Sequence, residues 1–466
     1  MPLFIVRHQH DPASCPAADP YHGASLLNHL SRPNVRKHGI TMQAEAVVRG
    51  EHTVYMIVEA PGRDQVLDFM APFALAGSLD VYPASTCAGV VSRGGCGAQD
   101  LAQEGAVPAL DPEEACQQAI EDGLVVHRAH PLNGEISIPD LIGGVVMPNA
   151  RFYIRNHFQI PKLNRDTWRL RVHGLVDNPL SLSWRDLANM PSQAKLVTLE
   201  CAGNGRSTLE PKTSGEQWNL GAVSTAEWTG VPLLEVLNRA GLQAGAQSIV
   251  FRGADSGLVE GHADPVYFER SLSLDEARFS EALLAYAMNG EALPLQHGYP
   301  LRMIVPSWYA VASVKWLTEI EVIDGPFEAF YQTERYYIDR MVDGRVAREP
   351  VRLQRVRSLI TEPAEQSSVE RGELLVRGVA WSGAAPIAGV KVRVNDGPWQ
   401  EARLLGERKR HSWQWWELHT HVDAPGNCVI RARATDLDGR VQPESPEWNH
   451  FGYCNNALRP VQIKVC

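Results

Sequence analysis

Apolar and polar residues alternate across residues 3–8, LFIVRH, the period-two pattern of a strand with one buried face. GASLLNHLSRP then has helical spacing and predicts a helix that stops at Pro33. MQAEAVV and TVYMIVEA flank RGEH and predict a hairpin. DQVLDFMAPFALAG puts Val66, Leu67, Met70 and Phe73 on one helical face, and SLDVYP returns to strand. The order β-α-β-β-α-β predicts a ferredoxin-like α+β domain over residues 1–100. Residues 101–135 hold few apolar runs beyond a short acidic helix around DPEEACQQAIEDG, and read as a linker. Over 136–345 strands and helices mix without regular βαβ alternation, which predicts α+β rather than a doubly wound sheet. Over 346–466 the texture changes to short alternating strands, such as ELLVRGVAW, GVKVRVND and CVIRARATD, between Gly, Pro and Asp turns. That pattern predicts an immunoglobulin-like β-sandwich.

Composition narrows the class only a little. A chain of 466 residues exceeds one hydrophobic core, so two to four domains are expected. A net charge of −10 argues against nucleic acid as the main partner, because phosphate binding needs a basic face. No run of 18 apolar residues suggests a membrane span. The amino terminus, MPLFIVRHQHDP, lacks the long apolar core of a signal peptide and a twin arginine, and IKVC is not a peroxisomal address. The expectation is a cytoplasmic protein. Eight cysteines are scattered without any C-x-x-C, which leaves zinc ribbons and c-type haem attachment unsupported.

Cys201 changes the picture. It ends an apolar run and opens the polar turn AGNG, where a thiol faces a crevice and glycines permit close backbone approach. Arg206 lies close enough in sequence to favour the thiolate. Read alone, the motif is more simply a half-buried cysteine in a turn. Two further polar clusters adjoin apolar strands. One is YIRNHFQIP, with Tyr153, Arg155, Asn156 and His157. The other runs from LQHGYPLR to SVKW, with His297, Arg302, Ser313, Val314 and Lys315. Three such clusters suggest one shared anionic ligand, since arginine forks and loop N–H groups bind phosphate well.

LECAGNGRS, IRNHFQIP, LLAYAMNGEALPLQHGYPLR and SVKWL together resemble the sulfite oxidase family of molybdenum-cofactor enzymes, in chain order over residues 130–466. The resemblance implies that Cys201 is the one protein ligand of molybdenum, where a soft thiolate suits a metal already held by sulfur. It implies that Arg155 faces the substrate anion and that Asn156 and His157 adjoin the pterin. Asp255 is implied to bond the pterin ring. His297, Arg302, Ser313, Val314 and Lys315 are implied to grip the phosphate tail of the cofactor. Tyr336 matches the active-site tyrosine, although adjacent Tyr337 leaves the choice open. The family implies a homodimer built by the carboxy-terminal sandwich.

Two departures bear on the anion pocket. Glu216 or Ser214 stands near the place of a family lysine. Arg459 is one residue early for a family arginine, and Pro460 takes the expected position. Arg206 and Arg459 remain candidates for contact with the substrate anion. The implied reaction is oxidation of sulfite to sulfate by oxygen-atom transfer, with electrons passed to a cytochrome-like protein or oxygen. No haem, flavin or nicotinamide fingerprint is visible in the sequence. Two alternatives stand beside it: a molybdopterin enzyme for a sulfoxide or another oxyanion, and a metal-sensing or scaffold protein on an oxidase-like body. In the amino-terminal region, His8 and His10 share one strand face, and with Cys15 and Cys87 they form a candidate second metal site.

Overall fold

The computed structural model describes residues 2–10, 12, 15, 20–48, 50–74, 77–84, 86, 111–141, 144–342 and 344–466. Strands dominate a mixed α and β architecture. The first unit runs β1 (Leu3–His10), α1 (Pro20–His29), α2 (Arg32–Lys37), β2 (Thr41–Val48), β3 (Thr53–Glu59), α3 (Arg63–Ala74) and β4 (Gly77–Ala84). Its antiparallel sheet has the order β2-β3-β1-β4. Phe4, Val6 and His8 point to the buried face, as the period-two pattern requires. They meet Val35, Met56, Val58, Val66, Phe69 and Met70 in a small core. Pro33 lies in the first turn of α2 rather than ending a helix. Its fixed φ and missing N–H cost nothing there.

Residues 101–110 lie outside the described residues. The rest of the expected linker is structured. α4 (Pro112–Glu121) starts on an Asp111 cap whose carboxylate accepts the Glu113 N–H at 2.8 Å. A hairpin follows, β5 (Leu124–Arg128) and β6 (Asn133–Ile136). The polar character of this stretch hid it, because β6 is fully buried while carrying Asn133 and Glu135.

Two five-stranded sheets carry the central part of the chain. Its elements are β7 (Arg169–Gly174), β8 (Leu180–Ser183), α5 (Trp184–Ala188), β9 (Gln193–Glu200), β10 (Val223–Pro232) and α6 (Leu233–Ala240). β11 (Ser248–Gly257), β12 (Val266–Ser273), α7 (Leu274–Phe279), β13 (Leu283–Met288), β14 (Glu291–Ala292), β15 (Arg302–Ile304) and β16 (Leu317–Ile323) complete it. One sheet has the order β14-β13-β10-β9, with β15 on β13; the other has β12-β11-β16-β7-β8. β13, LLAYAM, is buried along its whole length, as a strand covered on both faces must be.

The carboxy-terminal part packs two sheets around Val376, Val390, Val392, Trp416, Ile430 and Ile463. Two of its strands, Arg357–Glu362 and Gly372–Trp381, lie nearest the cysteine turn described below. The open edge of β9 is covered from this side: Thr198 N donates to His411 O at 2.8 Å, and Gln354 Nε2 donates to Thr198 O at 2.9 Å. Covering an edge strand in this way removes its unpaired backbone groups. No described helix is long and apolar enough to cross a membrane.

The first unit touches the central part through the start of α3. Asn149 N donates to Asp64 Oδ2 at 2.9 Å, and Arg63 N donates to Glu291 Oε1 at 3.1 Å.

Candidate active site

β9 delivers Cys201 to the end of the sheet, and the AGNG turn then folds back. Cys201 N donates to Ala222 O, and Asn204 N closes the turn on Cys201 O, both at 2.9 Å. Gly205 takes φ +83, where a side chain is disfavoured. At Gly203 a Cβ would meet the Arg206 guanidinium at 2.6 Å, so a side chain there would displace that arginine from its place at the turn. Behind the turn, Glu200 is buried. Its carboxylate accepts from Arg357 Nη1 at 2.8 Å, Trp381 Nε1 at 2.9 Å and Asn204 Nδ2 at 3.1 Å.

Cys201 opens onto two cavities. The inner one, about 630 Å³, is lined among others by Tyr153, Arg155, Asn156, His157, Asp255, His297, Arg302, Ser313, Lys315 and Tyr336. Thus the three polar clusters of the sequence, spread from Tyr153 to Lys315, converge on one hollow. The outer one, about 840 Å³, shares Arg155, His157, Cys201 and Tyr336 with the inner and adds Arg128, Arg206, Glu216, Arg335, Tyr331 and Tyr453.

The inner cavity is cationic at its far end. Arg302 is buried, spends Nη1 on His297 O at 2.8 Å and lies 4.7 Å over the Trp228 ring. Burial pulls its pKa down to about 10. Lys315 Nζ donates to Gln296 O at 2.8 Å and to Asn156 Oδ1. Burial and then neighbouring Arg302 push the Lys315 ammonium well below its ordinary pKa, while Asp255 works the other way. His297 is also pushed well down by burial, then by Lys315 and Arg302, and is neutral. Asp255 sits where the pairing of β11 with β12 slips between Arg252 and Ser256, an irregularity that re-aims the side chain. Burial raises its carboxyl to about 7. Asp255 Oδ1 and Arg302 Nε are buried with no hydrogen-bond partner among the described residues. Buried polar atoms are rarely left so without a ligand to meet them.

At the junction of the cavities, Tyr336 Oη and His157 Nε2 share a hydrogen bond of 2.6 Å. Burial, then Arg155 and Lys315, keep His157 neutral. Burial, and after it Cys201, raise the Tyr336 pKa, so the hydroxyl keeps its proton. Tyr336 has φ +60, uncommon for a bulky residue, and stacks on Tyr453 at 4.8 Å. This left-handed turn sends Tyr336 into the cavity, while Tyr337 begins a strand and packs on Phe451. Arg155 keeps Nη1 on Asn133 Oδ1 at 3.3 Å and on Asn156 O. Burial weighs against its charge, yet Tyr336, Cys201 and Glu216 hold its pKa above the ordinary value.

Three expectations change. Burial, the largest influence, raises the Cys201 thiol pKa even though Arg155 and Arg206 oppose it, so Arg206 alone does not make a thiolate. Val314 is fully buried in the core and does not line the inner cavity. Arg459 is exposed and lines neither cavity, because it precedes Pro460 and the strand Val461–Val465 on the far side of the sandwich. Arg128 and Arg335, which the sequence reading passed over, line the outer cavity instead. Arg335 stands next to Tyr336 in the run YQTERYYID and was legible there; Arg128 lay in the supposed linker. Arg128 pairs with Glu216 at 2.6 Å.

A cysteine between a buried, cation-ended hollow and an arginine-lined pocket is arranged to receive anionic ligands. Residues 157–331 match the family model described as Oxidoreductase molybdopterin binding domain, and residues 349–466 match Mo-co oxidoreductase dimerisation domain. Mitochondrial sulfite oxidase of Rattus norvegicus is 34% identical over 403 residues, covering 79% of this chain and 72% of the rat protein. Nitrate reductase [NADH] 1 of Arabidopsis thaliana is 30% identical over 72% of this chain, but over only 40% of its own length. The sulfane dehydrogenase SoxCD from Paracoccus pantotrophus superposes with a TM-score of 0.64 at 28% identity, covering 72% of this chain and 85% of that one. The chain belongs to the sulfite oxidase family of molybdenum-cofactor oxidoreductases.

Proposed function

We propose that this enzyme oxidises sulfite to sulfate and passes the electrons to an external acceptor, a cytochrome-like protein or oxygen. The observation that carries the reading is the junction of the two cavities at Cys201, Arg155 and Tyr336. The inner cavity suits molybdopterin: Cys201 would hold the metal, the unpaired Asp255 oxygen would meet the pterin edge, and Arg302, Lys315, Ser313 and His297 would take the phosphate. When bound, the cofactor supplies the two-electron redox chemistry and oxygen-atom transfer.

The protein's share is position and field. Arg155, Arg206, Arg335 and Arg128 face the outer cavity against the single carboxylate of Glu216, so a small anion is drawn in and its charge offset. Arg155 is anchored through Asn133 and Asn156 and cannot swing away, which fixes the anion beside Cys201. The protonated Tyr336 hydroxyl offers one donor to an oxyanion while neutral His157 orients it. The missing lysine and displaced Arg459 are answered by Arg128 and Arg335 from other segments. The first unit, with its β2-β3-β1-β4 order, is read as ferredoxin-like, and the last as an immunoglobulin-like sandwich that builds a homodimer.

The test is to add sulfite, nitrate or a sulfane anaerobically to molybdenum-loaded protein and follow its visible spectrum. Rapid bleaching by sulfite with stoichiometric sulfate is expected. Bleaching by a sulfane alone, or reoxidation by nitrate without any response to sulfite, would overturn the substrate assignment.

A further inference from the structure

Outside the redox site, the described residues hold two clusters of three ligand-type side chains. One, His173 with Glu319 and Glu321, already has cations of its own. Glu319 is bonded by Arg171, by Arg252 at 2.8 Å and by His173 at 2.8 Å, so no metal is needed there. The other is His10, Cys15 and His52, whose nitrogen, sulfur and nitrogen atoms all lie within 4.8 Å of one another. Its two imidazoles and one thiol are the borderline-soft donor set that zinc-class ions select.

Three observations set this cluster apart from chance proximity. His10 and His52 are fastened by their backbones, His10 N donating to His52 O at 3.1 Å. Their rings stand 5.4 Å apart at 71°, edge to face rather than stacked. His52 has φ +49, a left-handed conformation uncommon for a non-glycine residue, at the tip of the β2–β3 hairpin. Cys15 is outside any disulfide and half-buried. His8, expected as a ligand, is not one: its Nε2–H donates to Phe73 O at 2.9 Å and its ring packs beneath His10. Cys87 lies outside the described residues.

We infer that His10, Cys15 and His52 form a binding site for one divalent zinc-class ion, with the fourth position open to water. Binding joins the end of β1 to the β2–β3 turn across a loop of chain, where a cross-link gains most from closing the segment. As the sulfur–metal bond forms, the Cys15 thiol gives its proton to solvent, so uptake releases about one proton. The second nitrogen of each histidine remains for an outer partner, as in most metal-bound imidazoles.

The test uses untagged, full-length, molybdenum-loaded protein freed of divalent ions by a mild chelator. Zinc is titrated in competition with a chromophoric chelator, and cobalt is added separately as a spectroscopic stand-in. One equivalent is expected, with a near-ultraviolet thiolate-to-cobalt band. Cys15→Ser should abolish the band, and His52→Ala should weaken zinc binding about tenfold or more. His419→Ala, an exposed histidine elsewhere, should change neither, and molybdenum content should be the same in all. No zinc uptake by the wild type would overturn the site. So would a cobalt band that survives Cys15→Ser, or unchanged zinc affinity in His52→Ala.

Discussion

At the scale of single residues, two of the arginines at the mouth of the site, Arg155 and Arg128, divide the work. Arg155 is half-buried and anchored at the junction, so Arg155→Gln should cost on the order of 10²–10³ in kcat/KM for sulfite, the usual loss for one preorganised donor. Arg128 is half-exposed and paired to Glu216, so Arg128→Ala should mainly raise KM and weaken its salt dependence, with kcat little changed. Steady-state kinetics at two ionic strengths separate the two. Equal effects on kcat from both variants would contradict this division. The residues of the cofactor cavity were legible in sequence because each sat in a compact run such as IRNHFQIP or SVKW. The mouth was less legible. Arg128, Tyr331 and Tyr453 reach it from three distant segments, and no local spacing in the chain encodes that convergence.

At the scale of elements, α3 is the contact between the first unit and the catalytic part. Its Asp64 is half-buried, and loss of solvent first, then Glu291, raise its carboxyl to about 7. The folded state therefore holds a proton that the unfolded chain gives up near the ordinary carboxylate pKa of about 4. This contribution to stability is full below that value, declines as pH rises, and is lost as pH passes through about 7. Asp64→Asn keeps an acceptor for Asn149 N and removes the charge. Its melting temperature should exceed the wild type's, by an amount that grows between pH 5 and pH 8 and then levels off; each kcal/mol is worth roughly 2–4 °C. A difference independent of pH would show that Asp64 is not the group concerned. The strands of the first unit followed from periodicity, since LFIVRH and TVYMIVEA alternate cleanly, whereas the helix opened by Pro33 did not. The hairpin of β5 and β6 did not, because its buried face is built from Asn133, Gly134 and Glu135, whose burial depends on partners elsewhere in the fold.

For the whole molecule, the carboxy-terminal sandwich reaches into the redox site as well as flanking it. Arg357 and Trp381 hold Glu200, the residue next to Cys201, in a fully buried network. Removing one partner of such a pair leaves an uncompensated charge and costs about 3–5 kcal/mol. Arg357→Met should therefore lower the melting temperature and the molybdenum content together, and adding Glu200→Gln should restore part of both. Thermal denaturation with metal analysis reads this directly; full molybdenum in a normally melting Arg357→Met protein would disprove the coupling. The sequence announced two separate parts here by their change of texture, and gave no sign that a charge on one is neutralised by the other.

That shared ion pair ties maturation to the sandwich. Without Arg357, Glu200 lacks its counter-ion and the turn beside it loses a support, so, with Cys201 holding the cofactor as proposed, a chain cut before Arg357 is expected to take up less molybdenum.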